Sequence, residues 1–380
     1  MILIPHARAR RRLPPAVGLL LALCAVLVVL LTTRNRGTSP TAKTPATHAA
    51  GASRVEIKLT PAMQALASQP AGPTTGLFLD RPHASDLRVV TYNVNFDKIF
   101  PDVDVVRAEK FQRVLKALDP DVLNLQEIRE KSAADVTALL NAIEPRPGGE
   151  TWYAYQGWTN VIVSKYPLSL TADHTVPRGQ RELALALVDL PDERFHFDLY
   201  AINNHFKCCG GTANDPQRQQ QADAIANWIR DARSLGGEID LPPGTAIVLA
   251  GDLNPVGGAQ PLATLLTGDI AGESTYGPDL RPDWDDTDLT DARPLQNAVG
   301  PDDYTWRDDN GPYPPGRLDF IIYTDSVIEA AHQFVLNTTT MTDEELVKAR
   351  LERFDVTLDL VGKNFDHLPV VVDFRQAVGK

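Results

Sequence analysis

The chain has 380 residues, 43% of them hydrophobic, which is enough for the core of one large or two ordinary globular domains. Its net charge of −12 disfavours general electrostatic attraction to nucleic acid or to anionic lipid. Of its three cysteines, only Cys208 and Cys209 lie beyond the first 50 residues. This excludes the disulfide framework of small secreted domains.

Residues 1–32 have the pattern of a membrane anchor or a signal segment. Arginines at 8 and 10–12 precede an uncharged apolar run at 16–31, which as a helix would span about 24 Å. The nearest small-x-small cleavage pattern comes only at 50–52, and this favours an uncleaved anchor over a cleaved signal peptide. Because the arginines would stay inside, the pattern predicts that the rest of the chain is exported.

Residues 33–85 are predicted to be a flexible linker and lead-in. The part up to residue 53 is rich in Thr, Ala, Pro and Ser, and the part after it lacks clear periodicity. The first 50 residues hold seven of the 37 basic residues and no acidic ones, so the remainder has 30 bases against 49 acids, a net of −19. A substrate that carries phosphate would therefore need metal ions or a local basic patch.

Residues 86–376 are predicted to form one domain. Apolar residues fall three or four apart at 104–118 and 216–234, which is typical of helices that cover a sheet. Between them recur short apolar runs typical of strands, and the mixture favours an α/β or α+β fold. The runs are LRVVTYNV at 87, DVLNLQE at 121, NVIVSKY at 160, LALALVDL at 183, FHFDLYAINNHF at 195, TAIVLAGDLN at 245, RLDFIIYTD at 317 and HLPVVVDF at 367.

Polar side chains stand at the ends of most of these runs. Each has an ordinary explanation as a turn or cap residue, but six such coincidences in order favour a shared site at one rim of the sheets. Carboxylates, amides and two histidines without a cysteine cluster suit Mg²⁺ or Mn²⁺ rather than a structural zinc. The residues are Asn93 and Asn95, Glu127, Asn204 and His205, Asp252 and Asn254, Asp319, and Asp366 with His367.

The ordered motifs resemble those of the endonuclease/exonuclease/phosphatase superfamily, the deoxyribonuclease I-like fold. TYNVN, PDVLNLQE, GDLN, RLDFI and FDHLP are similar to its first, second, fourth, fifth and last motifs, over about Leu87 to Phe374. INNHF, with His205, resembles the secreted deoxyribonuclease branch and several phosphatase branches, and QREL, with Arg181 and Glu182, resembles an Arg-Glu pair on the preceding strand. The resemblance implies an α+β fold, a four-layered α/β/β/α sandwich of two mixed β-sheets flanked by helices, preceded here by the N-terminal apolar helix.

The resemblance also implies three overlapping groups of site residues. The group that would hold Mg²⁺ or Mn²⁺ is Asn95, Glu127 and Asp366. The group that would carry out catalysis is His205, Asp252, Asn254, Asp319 and His367. The group that would contact the substrate phosphate is Asn93, Arg181, His205 and Asn254.

Two features of this site stay open at the level of sequence. Asn95 stands where many members of the superfamily have aspartate, so a tight two-metal site is less expected. Asp319 would fix the tautomer of His367 and raise its basicity, which makes His367 a candidate general base, but Asp252 is the rival for that role.

The expected function is an exported, membrane-tethered, divalent-metal-dependent hydrolase of phosphodiester bonds, with DNA or RNA as the first expected substrate. The alternatives are a phosphatase or a phospholipid or sphingomyelin-type phosphodiesterase, and, from another class, a non-catalytic binding domain. The last is disfavoured because Glu127, Asp252, Asp319, Asp366, His205 and His367 are all present. No protein partner is implied, and a monomer is expected.

Two further features lie near the predicted site. Cys208 and Cys209 follow His205 closely and are predicted to be plain thiols, with a strained vicinal disulfide as the alternative. Trp158, Trp284 and Trp306 are candidates to line a substrate groove, although buried aromatic residues are commoner.

Overall fold

The computed structural model describes residues 55–378 except 73, 177–179, 211–212, 309–310 and 357–364, and it does not describe the side chains of 173–176 and 180–182. The predicted N-terminal helix at 1–32 lies outside the described residues. Among the residues that are described, no helix is long and apolar enough to cross a membrane.

The described chain contains two mixed sheets of six strands each, which pack face to face. The first sheet has the spatial order β11 (Ile328–Val335), β12 (Val370–Gln376), β1 (Leu87–Asn93), β2 (Val122–Gln126), β4 (Asn160–Ser164) and β3 (Tyr153–Gly157). The second has the order β5 (Leu168–Val176), β6 (Gln180–Val188), β7 (Leu199–His205), β8 (Ala246–Asp252), β10 (Asp319–Tyr323) and β9 (Thr290–Asp291).

Helices cover the sheets. They are α1 (Pro61–Ala67), α2 (Val105–Leu118), α3 (Ala133–Ile143), α4 (Asp215–Ala232), α5 (Gln260–Thr267), α6 (Glu273–Tyr276) and α7 (Asp343–Ala349). Side chains alternate along β8: Val248 packs in the core between the sheets, whereas Leu249 packs in the core that includes Trp228 of α4. The fold is thus the predicted sandwich of two mixed sheets flanked by helices.

The predicted elements of this domain are confirmed. Each of the eight apolar runs contains a strand, and the two helical patterns correspond to α2 and α4. The lead-in also contains a helix that the sequence pattern did not indicate, α1, which packs against α2 and α3. Only Met63 of α1 is buried, so this helix has no apolar periodicity to detect.

The strand directions gather the polar residues at one rim. β1 runs parallel to β2 and β7 runs parallel to β8, so within each pair both carboxyl ends lie at the same edge. β12 runs antiparallel to β1, and β10 runs antiparallel to β8 with Asp319 opposite Asp252. The residues that precede β12 and β10 therefore lie at the same edge as the residues that end β1, β2, β7 and β8. This explains why ionisable residues precede the apolar run of β12.

A buried ion pair joins β1 to β12. The guanidinium of Arg88 donates from Nε to Asp373 Oδ1 at 2.6 Å and from a terminal nitrogen to Asp373 Oδ2 at 2.7 Å. Both side chains are buried, and His332 Nδ1 lies 3.2 Å from the same carboxylate. Burial disfavours the charge of Asp373, but the hydrogen bonds from Arg88 and His332 outweigh it and hold the pKa of this carboxyl below its usual value.

We predict that Asp373→Asn lowers the free energy of unfolding by about 3–5 kcal/mol, because it leaves the Arg88 charge buried without its counterion. A carboxyl with a depressed pKa in the folded state stabilises the protein above its unfolded pKa of about 3.9 and loses that effect as the pH falls. The difference in the free energy of unfolding between wild type and variant should therefore shrink below about pH 4. Urea unfolding at several pH values measures it.

The control is Glu344→Gln, which removes an exposed partner of Lys348 and should leave the urea midpoint unchanged. Equal stability of wild type and Asp373→Asn at pH 7 would contradict the prediction.

Candidate active site

The carboxylate of Asp252 lies at the centre of the rim. Asp252 is the last residue of β8, and its side chain is 2% exposed. Its Oδ2 lies 3.3 Å from His205 Nε2 and 3.7 Å from His367 Nε2, and it accepts a hydrogen bond from Asn93 Nδ2 at 3.2 Å. Its Oδ1 accepts from the backbone N–H of Asn254 at 3.0 Å. One carboxylate thus contacts residues from both sheets.

The residue before Asp252 must be glycine. A Cβ atom on Gly251 would lie 1.9 Å from the backbone oxygen of Asn204, and Gly251 has a φ of 142°. Any larger side chain would push β8 away from β7. Gly251 therefore lets β8 deliver Asp252 directly beside His205, which pairs with it in the strand register.

His367 is held by a second carboxylate. Its Nδ1 lies 2.7 Å from Asp319 Oδ2, which also accepts from the hydroxyl of Thr305 at 2.6 Å. Burial disfavours a charged imidazole, but the charges of Asp319 and Asp252 and the Asp319 hydrogen bond outweigh it and raise the pKa of His367 to about 10. His367 Nδ1 therefore carries a proton, and Nε2 faces Asp252.

Glu127 follows β2 on a strained backbone. Its φ is 68°, a left-handed conformation that is uncommon for residues other than glycine. Its Oε1 accepts from Asn93 Nδ2 at 3.3 Å and lies 4.0 Å from His205 Nε2. Burial raises the pKa of Glu127, and the negative charge of Asp366 raises it further. A bound cation here would offset both effects.

Asp366 and Asn95 form a connected pair next to Glu127. Asn95 Nδ2 donates to Asp366 Oδ1 at 2.9 Å, and Trp306 Nε1 donates to Asp366 Oδ2 at 3.4 Å. Burial opposes the charge of Asp366, yet the His367 charge and the Asn95 hydrogen bond hold the pKa of this carboxyl below its usual value. The amide oxygen of Asn95 accepts a hydrogen bond from the Lys98 ammonium.

Comparison with known protein families decides the classification. The model of the Endonuclease/Exonuclease/phosphatase family matches residues 90–339. The chain belongs to this family. Membership supports a hydrolase of phosphate esters of the phosphodiesterase or nuclease type, and members of the family generally use divalent metals. No curated protein matches the sequence.

Several solved structures are similar to this chain. TDP2 from D. rerio, complexed with single-strand DNA product, has 17% identity and a TM-score of 0.48 over 77% of this chain and 99% of its own. The human Nocturnin catalytic domain with a bound sulfate anion has 15% identity and a TM-score of 0.47 over 77% and 95%. An endonuclease/exonuclease/phosphatase from Beutenbergia cavernae has 20% identity and a TM-score of 0.44 over 77% and 72%.

The donor set fits the divalent metal that this family uses. Glu127 and Asp366 supply carboxylate oxygens, and Asn95 contributes an amide on the same side of the rim. In the part of the chain that the structure describes, no three or more His, Cys, Asp or Glu side chains are arranged to hold a metal ion. Mg²⁺ keeps several waters and is commonly bound through one or two carboxylates, so a pair of them suffices.

The remaining predicted site residues lie in different places. Asn254 lies at the site, with a φ of 44°, and its Nδ2 donates to the Phe206 carbonyl at 3.4 Å. Asn204 instead turns into β8, where its Nδ2 donates to the Ala250 carbonyl at 2.8 Å. The backbone of Arg181 belongs to β6, but its side chain lies outside the described residues.

The cysteines and tryptophans that were predicted near the site also lie in different places. Cys208 and Cys209 have Sγ atoms 2.9 Å apart without a disulfide bond, in the loop after His205. Trp306 lies at the site, whereas Trp284 donates from Nε1 to the Thr245 carbonyl at 2.7 Å, just before the start of β8 and away from Asp252. Trp158 is exposed.

Sequence reasoning missed two residues that organise the site. Thr305 donates to Asp319 and accepts from the backbone N–H of Leu318 and of Asp319, each at 2.9 Å. Lys98 orients the Asn95 amide. Both lie in loops outside apolar runs, and the only available signal was the nearness of Lys98 to the TYNVN motif.

We predict that Asp319→Asn lowers the pKa of His367, because the charge and the hydrogen bond that stabilise the imidazolium are both weakened. A group with a raised pKa stays protonated up to that value, so in EDTA the wild-type ring should remain charged through neutral pH. In the variant it should lose its proton at a lower pH. NMR titration of the histidine rings measures both.

The matched control is Asp291→Asn, which removes a carboxylate paired with Arg317 in the same sheet. Its His367 titration should match wild type. An Asp319→Asn protein with an unchanged His367 titration would show that Asp319 does not hold the proton there.

Proposed function

We propose that this protein is a divalent-metal-dependent phosphodiesterase that hydrolyses DNA or RNA. One observation carries the proposal: Asp252 Oδ2 lies between two imidazoles and an amide, at 3.2–3.7 Å from Asn93, His205 and His367. Such a set combines one acceptor for a water proton with several donors for phosphoryl oxygens. Membership of the Endonuclease/Exonuclease/phosphatase family supports chemistry of this general type.

The geometry favours Asp252 over His367 as the proton acceptor. His367 Nδ1 lies 2.7 Å from Asp319 Oδ2, which favours a proton on Nδ1, and the Asp319 and Asp252 charges raise the pKa of the ring, which suits Nε2 to donate. The Asp252 carboxylate can orient a water and take its proton. His367 and His205 can then donate to the phosphoryl oxygens, where charge develops during in-line attack.

Glu127 and Asp366 would hold the metal ion. Bound Mg²⁺ or Mn²⁺ would supply positive charge that offsets the charge of the phosphate. Asn95 fixes the Asp366 carboxylate through a 2.9 Å hydrogen bond, and Asn93 donates to Glu127. These amides keep two like-charged carboxylates in place before any cation binds.

Nucleic acid is the proposed substrate because basic residues lie beside this rim of an otherwise acidic chain. Lys98 contacts Asn95, and Arg129 lies in the loop after Glu127; Lys131 of the same loop is paired with Asp102. The alternative is a phospholipid or sphingomyelin-type phosphodiesterase, which the predicted anchor at 1–32 would bring close to lipid. A phosphatase is the other alternative, since the matched family by its description includes phosphatases.

We also propose that the domain is exported, tethered by the helix predicted at 1–32, and monomeric. Arginines that precede an apolar, uncharged run support the export and the tether, and the monomer is proposed because no sequence feature implies a protein partner.

We predict that the purified 380-residue chain nicks supercoiled plasmid and cuts oligonucleotides in Mg²⁺ or Mn²⁺ but not in EDTA. Glu127→Gln should lower kcat by about 100-fold or more and raise the Mg²⁺ concentration needed for half-maximal rate, because one metal-binding oxygen loses its charge. Parallel assays on a phosphomonoester and on mixed phospholipids test the alternatives.

Glu130→Gln is the control, since it removes an exposed carboxylate three residues away. Cleavage of lipid or monoester with intact plasmid would reject nucleic acid as the substrate. Full activity of Glu127→Gln would reject the metal assignment.

A further inference from the structure

Two large aromatic side chains stand exposed beside the site on strained backbone. Phe96 is 41% exposed with a φ of 61°, and Trp158 is 49% exposed with a φ of 51°. A left-handed conformation is an outlier for a bulky residue, and such strain persists where surrounding structure enforces it, often at functional sites. Exposure is also unfavourable for rings of this size.

The fold enforces both conformations through one loop, the residues 127–131 that follow β2. The buried carboxylate of Asp97 accepts from the backbone N–H of Arg129 at 2.9 Å and of Glu130 at 3.0 Å, which holds Phe96 against the loop. On the other side, Thr159 accepts from the Ile128 N–H at 3.0 Å.

Gln156 adds further hydrogen bonds between the segment that carries Trp158 and the loop 127–131. Its Nε2 donates to the carbonyls of Trp158 at 2.9 Å and of Lys131 at 3.2 Å. Phe96 and Trp158 are therefore anchored to the same short loop, one from each side.

A cation completes the surface. The guanidinium of Arg129 lies 4.1 Å from the centroid of the Phe96 ring, and the Lys98 ammonium lies 5.8 Å from the same ring. We name Phe96, Arg129 and Trp158 the rim platform. Phe96 directly follows Asn95 in the chain, and the loop that holds both rings begins at Glu127, so the rim platform is attached to two residues of the active site.

We propose that the rim platform stacks a nucleobase of single-stranded nucleic acid adjacent to the phosphate that is cleaved. The inference rests on the proposed nuclease function and specifies its substrate. Aromatic rings with a nearby arginine are suited to a polyanion that carries flat bases, and stacking tolerates any base because each has a π-face. The positive charge beside the rings supplies a local attraction that opposes the net negative charge of the chain.

The test is binding of the full chain, in EDTA so that no cleavage occurs, to fluorescein-labelled single-stranded oligonucleotides. One oligonucleotide carries bases, and its partner of equal length is abasic. We expect wild type to prefer the first. Trp158→Gly and Phe96→Gly should each weaken that binding by about tenfold and leave abasic binding unchanged.

Glycine is the informative replacement at these positions because it adopts positive φ without strain. The variants should therefore lose binding while thermal stability holds or rises, which separates a binding role from a structural one. Trp158→Tyr, which restores a ring, should bind as wild type does. Phe354→Ala is the matched control, since Phe354 is 45% exposed and lies beside the Arg113–Asp355 ion pair.

Three results would overturn the proposal. They are equal wild-type binding of base-containing and abasic strands, glycine variants that bind as wild type does, and glycine variants that lose binding only to phosphatidylcholine–sphingomyelin vesicles. A base preference that the variants lose, in a chain that cleaves no nucleic acid in Mg²⁺, would support the rim platform and reject the proposed function.

Discussion

The alignment of the two sheets at the rim depends on polar contacts between them, and the central one is the carboxylate of Asp252, which contacts residues from both sheets. Apolar packing between sheets is non-directional and does not by itself set how two rims align. Hydrogen bonds set this alignment. Asn93 of the first sheet donates to Asp252 of the second at 3.2 Å, and Gln126 donates to Asn203 across the same interface at 2.7 Å. Because these polar groups are buried, a shift of one sheet would leave them unpaired at considerable cost.

That alignment gives the rim its chemistry. The two parallel strand pairs deliver Glu127 and Asp252 from their carboxyl ends, and the antiparallel strands deliver Asp319 and His367 from their starts. Carboxylates at such density would repel one another, and the protonated ring of His367 together with the amides of the rim offsets that repulsion. The site is therefore prepared for a phosphate and a cation before either binds.

Most of the sheet framework could be predicted from the sequence because buried strands consist of apolar runs, and the polar residues at the ends of these runs lie at the rim. Loop contributions could not be predicted. Thr305 holds Asp319, and Lys98 turns the Asn95 amide, through contacts that depend on where distant loops meet. Asn204 was expected at the site but is not part of it, because side chains alternate between the two faces of a sheet and Asn204 is adjacent to His205; its Nδ2 donates instead to the Ala250 carbonyl.

The most direct test of the central claim is cleavage of an oligonucleotide with one defined scissile bond in H₂¹⁸O with Mg²⁺, followed by mass spectrometry of the product phosphate. The account predicts one ¹⁸O per cleaved bond for wild type and a loss of cleavage by orders of magnitude in a folded Asp252→Asn variant. Product phosphate without ¹⁸O, or Asp252→Asn that turns over as wild type does, would contradict water attack organised by Asp252.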